Sequence, residues 1–320
     1  MISANLHFES STFTGQRPGP KLIVTGAVHG NETCGTEAIK RVLADIHANR
    51  IAIVGGAVTF VPVTNPLAYA KRDRVGDRNL NRNLAPNDKP KDFEDRIANW
   101  LCPLLASHDA LLDLHSTRAT NPPFAMLGPR DNTGTLEPFA RHREERDLAV
   151  RLGVARFVEG WLDAYAEGVA RRRERARAAG LASDPLVDDP RYGIGTTEYL
   201  RGVGGYAITL ECGQHDDPES PNVAYRAILN ALAYLGISDS APPDVVQGAE
   251  HLCLSEVHDR FAEGDRFERQ WSSFDALQAG TRIGTRADGT PVIAPQAGYI
   301  VFPDNKALPG REWFYLAHAV

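Results

Sequence analysis

Apolar positions in the first two thirds of the chain follow two alternating rhythms. Continuous runs rich in β-type residues occupy 21–28 (K-L-I-V-T-G-A-V), 58–63, 110–114 and 206–211. Runs of that kind predict strands buried on both faces. Between them, residues 35–49, 92–105 and 222–235 carry apolar side chains at helical spacing. A short strand over 154–158 and a helix with a strongly basic face over 163–179 fit the same alternation. Strands alternating with helices predict an α/β fold: a mixed, mostly parallel sheet covered by helices on both faces. After Ser238 the texture changes. S-D-S-A-P-P-D reads as a linker, and short strand signals broken by glycine and proline follow it. The expected division is a catalytic domain over 1–238 and a small β-rich C-terminal domain over 245–320.

Composition narrows the function classes. The 320 residues are 42% hydrophobic and 24% charged, ordinary for a soluble globular chain. A net charge of -6 argues against a general nucleic-acid binder, which needs a basic face. The four cysteines, Cys34, Cys102, Cys212 and Cys253, are scattered with no C-x-x-C pair. They suggest neither a disulfide framework nor a cysteine zinc knot. The opening M-I-S-A-N-L-H-F-E-S lacks signal-peptide character, and no apolar run approaches a membrane span. A cytoplasmic location without membrane partners is expected.

The chemistry concentrates where the predicted strands end. The run at 21–28 empties into H-G-N-E, which sets His29 and Glu32 side by side. The strand at 110–114 ends in D-L-H-S and delivers His115. Two histidines and one glutamate, with a fourth position left for water, form the ligand set of a hydrolytic zinc site. The bare H-x-x-E spacing is weak, because His142–Glu145 repeats it. That copy lies in A-R-H-R-E-E-R-D, and its charged context predicts a solvated helix face. Glu211, in L-E-C-G, ends another buried strand and offers the proton acceptor that hydrolysis needs. Ligands of such sheets gather at the carboxyl ends of strands, where all these residues fall. Asp113 shares a strand face with His115 and is placed to orient its imidazole. Residues 65–84 are dense in Arg and Asn, which supply forked donors for carboxylates or a developing oxyanion. From composition alone a solvated basic loop is the plainer reading. The basic run 171–177 is expected to be an exposed helix face.

Taken in order, H-G-N-E, N-P…R-x-x-x-x-N-L-N-R, D-L-H-S and L-E-C-G resemble the succinylglutamate desuccinylase/aspartoacylase family, a branch of the zinc-carboxypeptidase-like hydrolases. The resemblance runs from about Lys21 to Gly213, and A-P-Q-A-G-Y-I-V-F-P is similar to the family's small β-domain. It implies one zinc ion per chain on His29, Glu32 and His115, with Glu211 as general base and acid. It further implies that Arg74 polarises the scissile carbonyl and that Asn81 and Arg82 hold a substrate carboxylate. Arg201 matches a second carboxylate-binding arginine of the aspartoacylase branch, and Asp113 stands behind the metal ligands. Asn79 departs from the family's usual aspartate. The tyrosine that the C-terminal domain contributes in the aspartoacylase branch has only Tyr299 and Tyr315 as candidates. The expected activity is zinc-dependent hydrolysis of the amide of an N-acyl amino acid or related small carboxylate. A metallocarboxypeptidase and a catalytically idle binding protein on the same fold are the alternatives. The acyl group, the amine and the oligomeric state are not given by the sequence.

Overall fold

The computed structural model describes residues 6–178, 180 and 189–320. It opens with strands β1 (Ser11–Thr14) and β2 (Arg17–Gly26), helix α1 (Cys34–His47) and β3 (Gly55–Val61). Helices α2 (Pro66–Lys71) and α3 (Phe93–Ala106) lead to β4 (Ala110–Thr117) and β5 (Phe124–Met126). Then come α4 (His142–Ala149), β6 (Arg156–Glu159), α5 (Trp161–Ala178) and α6 (Thr196–Gly202). Strand β7 (Tyr206–Gln214) and helix α7 (Ser220–Tyr234) follow. The rest is β8 (Glu250–Asp259), β9 (Arg266–Phe267), β10 (Ala276–Leu277), β11 (Arg282–Thr285), β12 (Pro291–Ile293), β13 (Gly298–Val301) and β14 (Glu312–Ala319).

Eleven strands make one mixed sheet in the order β1-β3-β2-β4-β7-β5-β6-β8-β14-β13-β10. The four strands β3, β2, β4 and β7 run parallel, so their carboxyl ends share one edge. Side chains of a strand alternate between faces, and the two cores follow from that. Leu22, Val24, Leu112 and Ile208 pack under α1 and α7 through Ile39, Val42, Ile228 and Ala231. Ile23, Leu111 and Ala207 pack on the opposite face against Ile97 and Leu101 of α3 and Leu200 of α6. Helices thus cover both faces of the parallel centre, as the alternating pattern predicts. Each such fully buried aliphatic side chain stabilises by about 1.5–3 kcal/mol. Truncating Leu112 to alanine would cost about 2–5 kcal/mol, including the cavity left behind.

Capping sets where the helices begin. Asp92 caps α3, its side chain accepting from Asp95 N at 2.8 Å. Asn65 caps α2 and accepts from Ala68 N at 3.1 Å. Each satisfies an amide that the first helical turn would otherwise leave unpaired.

The C-terminal strands are joined to this sheet. Strand β8 pairs in parallel with β6, and β14, β13 and β10 follow outward, while β9, β11 and β12 form a separate three-stranded sheet. Residues 239–249, which hold the expected linker, contain neither helix nor strand. The basic run on α5 is only partly a solvent face. Arg172 and Arg175 both bind the Asp259 carboxylate, at 2.7 and 2.6 Å, and Arg171 donates to the Val257 carbonyl. The helix is therefore tied to β8. Residue 179, its expected last position, lies outside the described residues. No helix among the described residues is long and apolar enough to cross a membrane.

Candidate metal centre

The turn after β2 is shaped by close approach. Ala27 takes a left-handed conformation, φ 47°. At Gly30 a Cβ would overlap the Ala68 backbone of α2, so only glycine fits. This turn carries His29 and Glu32 to the carboxyl end of the sheet, where β4 delivers His115. All three are at most 3% exposed. Their donor atoms lie within 4.8 Å of one another, and among the described residues they are the group able to hold a metal ion. Glu32 sits between the imidazoles, with Oε1 2.9 Å from His29 Nδ1 and Oε2 2.8 Å from His115 Nδ1.

The far nitrogen of each ring is held from behind. His115 Nε2 meets Asp113 Oδ2 at 2.9 Å, and Asp113 in turn accepts from the hydroxyls of Thr25 and Thr196. His29 Nε2 meets Asn79 Oδ1 at 3.1 Å. A proton on His29 Nε2 leaves its Nδ1 lone pair facing inward, toward Glu32. His29 Nδ1 is buried without a hydrogen-bond partner although a carboxylate oxygen lies 2.9 Å away. Two acceptors in contact with no proton between them are what a shared cation would reconcile. The N, N, O donor set is one that zinc accepts.

Electrostatics separate the two histidines. Burial, aided by Arg74 and opposed by Glu32, pushes His29 down to about 4, so it is an uncharged imidazole with a lone pair to offer. Burial also disfavours charge on His115, but Asp113 and Glu32 outweigh it and hold that ring well above the usual range. The donors around it likewise overcome burial at Glu32 and keep it ionised.

Glu211 lies opposite His115 in the β4–β7 register. It is 8% exposed, and its Oε2 is buried without a partner. Burial raises its pKa to about 8, with His115 and Arg74 opposing and Glu32 and Asp113 reinforcing. Arg74 reaches in from the loop after α2, its Nη1 2.9 Å from Glu32 Oε1 and its side chain 44% exposed. The structure thus gathers His29, Glu32, His115, Asp113, Arg74 and Glu211 in one place.

The other expected residues are distributed differently. Asn81 accepts from Thr196 N at 3.1 Å, and its own amide donates to Asn79 Oδ1. Arg82 faces Glu312 of β14, at 3.6 Å. Arg201 corrects the expectation of a substrate grip. It is 5% exposed and locked at 2.8 Å to both Glu145 and Glu137, with a further bond to the Ala207 carbonyl. Its charge is already spent on buried partners, so it is an anchor between α6, α4 and β7. Glu145 corrects a second expectation. It lies fully buried where a solvated face was predicted. Nor is the 65–84 segment a solvated loop. Buried Glu94 gathers it, accepting from Asn65 Nδ2 and from the amides of Gly76, Asp77 and Arg78.

Some neighbours of the cluster went unrecognised in the sequence. His215 bonds Ser116 Oγ through Nδ1 at 2.9 Å and approaches Asn31 Nδ2 at 3.4 Å. Its place four residues after Glu211 was the available signal. Thr25 and Thr196, which hold Asp113, gave none.

Comparison with known proteins meets the same features. The model of the succinylglutamate desuccinylase/aspartoacylase catalytic domain matches residues 18–142. N-alpha-acetyl-L-2,4-diaminobutyric acid deacetylase of Halomonas elongata is 31% identical over 102 residues. That stretch is 31% of this chain and 29% of the relative, so the match spans less than a third of the curated protein. The fold is shared along nearly the whole chain with succinylglutamate desuccinylase/aspartoacylase from Rhodobacter sphaeroides: TM-score 0.73, 17% identity, 98% of this chain and 90% of that one. The ectoine utilization protein EutE (DoeB) from Ruegeria pomeroyi, in its product-bound structure, aligns with TM-score 0.70 and 21% identity over 97% and 88% of the two chains. Fold and motif order define a mixed α/β protein with a His-Glu-His cluster at its strand ends. Over residues 18–142 the chain is similar to the succinylglutamate desuccinylase/aspartoacylase catalytic domain, and it shares the fold of solved proteins that carry that name.

Proposed function

We propose that this protein is a zinc-dependent deacylase that hydrolyses the amide bond of an N-acyl amino acid or related small carboxylate. The observation that carries the reading is the cluster itself. Three converging buried donors stand beside a fourth carboxyl, Glu211, whose Oε2 has no partner. An unpartnered buried carboxyl is costly, and a proton-transfer role accounts for it. The relatives named as a deacetylase and as desuccinylases support the same class.

His29, Glu32 and His115 would hold one zinc ion per chain through the Nδ1 atoms and the carboxylate. When bound, zinc lowers the pKa of a coordinated water and polarises a carbonyl. The chain's own groups do the rest. Asp113 and Asn79 fix the two rings so that the lone pairs converge. Glu211 becomes an ionised base only with positive charge at the neighbouring cluster, since opposite charge favours the carboxylate form. In that form it takes a proton from the attacking water and returns it to the leaving nitrogen. Arg74 uses one nitrogen on Glu32 and keeps others to donate to the carbonyl oxygen as charge develops.

The test is a screen of N-acyl amino acids with zinc-loaded protein, following release of the free acyl acid. Wild type should turn over at least one compound, and Glu211→Gln should keep its zinc while losing roughly a hundredfold or more in kcat. Equal turnover by the two proteins would remove Glu211 from the chemistry. Peptide products in place of an acyl acid would favour a carboxypeptidase.

A further inference from the structure

The donors of the metal cluster come from two segments distant in sequence, and one side chain outside the cluster bridges them. His215 stands just past β7, four residues after Glu211. Its Nδ1 lies 2.9 Å from Ser116 Oγ, beside His115 at the end of β4. Its Nε2 lies 3.4 Å from Nδ2 of Asn31, which sits on the turn between His29 and Glu32. The His215 amide also donates to the Thr117 carbonyl at 2.9 Å, where the β4–β7 register shifts after His115. The residue is thus fixed to β4 by backbone and ring, and reaches the turn by the ring alone.

The partners define the state of the ring. An amide nitrogen only donates, so Nε2 accepts from Asn31 and the single ring proton is donated from Nδ1 to Ser116 Oγ. One neutral tautomer satisfies both contacts. Among the described residues the Asn31 side chain has no other hydrogen bond, since its Oδ1 is buried without a partner. Ser116 donates its own amide to Glu32 Oε2 at 3.3 Å. Glu32 is therefore flanked by two residues that His215 holds, Asn31 before it in the chain and Ser116 beside it in space. Arg74 also donates to Glu32, but its side chain is 44% exposed, and the proposed chemistry draws it toward the substrate carbonyl. The Ser116 amide then remains as the fixed donor behind that carboxylate.

We propose that His215 is a positioning residue of the metal centre. By joining Ser116 to Asn31 it sets the turn that carries His29 and Glu32 against the strand that carries His115, and so sets the affinity for the ion. This rests on the zinc reading above and extends it to a residue outside the three donors.

The experiment measures zinc affinity by chelator competition on the full chain, with the urea midpoint of the metal-free protein as the control for folding. His215→Ala should weaken zinc by about tenfold or more, the scale of contacts behind metal ligands, with little change in the midpoint. His215→Asn can restore the bond to Ser116 and His215→Gln the bond to Asn31, so each should recover part of the affinity. The visible spectrum of the cobalt(II)-loaded protein should change in His215→Ala. Ser116→Ala alone should weaken zinc, and adding it to His215→Ala should cost nothing further, because both remove one contact. Ser116→Ala and Asn31→Ala cut the two contacts singly, so a folding defect at position 215 cannot mask the answer. Wild-type zinc affinity and cobalt spectrum in these variants, equal losses in the Ala, Asn and Gln variants, or additive losses in the double variant would overturn the proposal and leave the metal reading intact. Failure of wild type to bind either ion would remove both.

Discussion

The chain contains two H-x-x-E segments, and the structure uses them in opposite ways. His29–Glu32 lies on a turn at a strand end, whereas His142–Glu145 opens helix α4. Both glutamates are buried, Glu32 to 1% exposure and Glu145 to 0%. What surrounds them differs. Glu145 meets only donors: the amides of Gly128 and Ala207 at 2.6 and 2.9 Å, and Arg201 Nε at 2.8 Å. Its histidine turns away and donates Nδ1–H to the Pro129 carbonyl. Glu32 meets two imidazole nitrogens that converge on it, one of them without a proton partner. A carboxylate ringed by N–H groups is satisfied and serves as an anchor. Glu32, although Arg74 and the Ser116 amide donate to it, still faces the unpartnered His29 nitrogen, and that contact is what a cation would reconcile. Burial alone does not separate the two cases, and the unpartnered imidazole nitrogen at Glu32 does.

The largest expected consequence lies on the anchor side. Glu145→Ala leaves the Arg201 guanidinium short of its main partner in a closed environment, along with two amides. It should destabilise the fold by about 3–5 kcal/mol, read as a fall in the urea midpoint, with zinc content per folded chain unchanged. Zinc loss in the folded fraction would mean that the two segments are coupled. A smaller effect is expected behind the metal cluster. His115 is backed by a carboxylate and His29 by an amide. A carboxylate partner raises ligand basicity, so Asn79→Asp should tighten zinc by about 10–100-fold, the usual scale for such contacts. Chelator competition measures it, and unchanged or weaker binding would show that Asn79 does not limit the site.

A third effect is a pH dependence of the metal-free protein. Glu211 rises on folding from its ordinary 4.5 to about 8, chiefly through burial. The folded state therefore holds this proton more tightly than the unfolded state. The group is neutral to stability below pH 4.5 and destabilises progressively as pH climbs toward 8. Glu211→Gln lacks this loss. With zinc chelated, the two proteins should melt together at the acid end, and the variant should melt several degrees higher near pH 8. Parallel melting curves across that window would contradict a buried, unpaired Glu211.

The sequence carried the parallel centre of the fold well, because its strands are buried on both faces and its helices are amphipathic. Starts at Phe93 and Cys34 fall within a residue of those expected. The convergence of His29, Glu32 and His115 was legible for a related reason: each lies at or just after the end of an apolar run, so its place at the strand ends follows from the pattern. Arg201 was misjudged because its partners Glu137 and Glu145 stand 64 and 56 residues away, and no local pattern encodes such pairing. The Arg82–Glu312 contact spans 230 residues and was invisible for the same reason, as sequence separation (312 minus 82) tells nothing of charge complementarity. Of the two candidate tyrosines, Tyr315 packs beside that pair, where its hydroxyl is pushed well above the usual range by burial and by Glu312. Tyr299 instead lies by Glu250.

Metal analysis of three purified proteins tests the central contrast most directly. Wild type and His142→Ala should each carry about one zinc per chain, and His115→Ala should lose most of it, since the ligands left on one turn bind poorly. Full zinc in His115→Ala, or its loss from His142→Ala, would contradict the account.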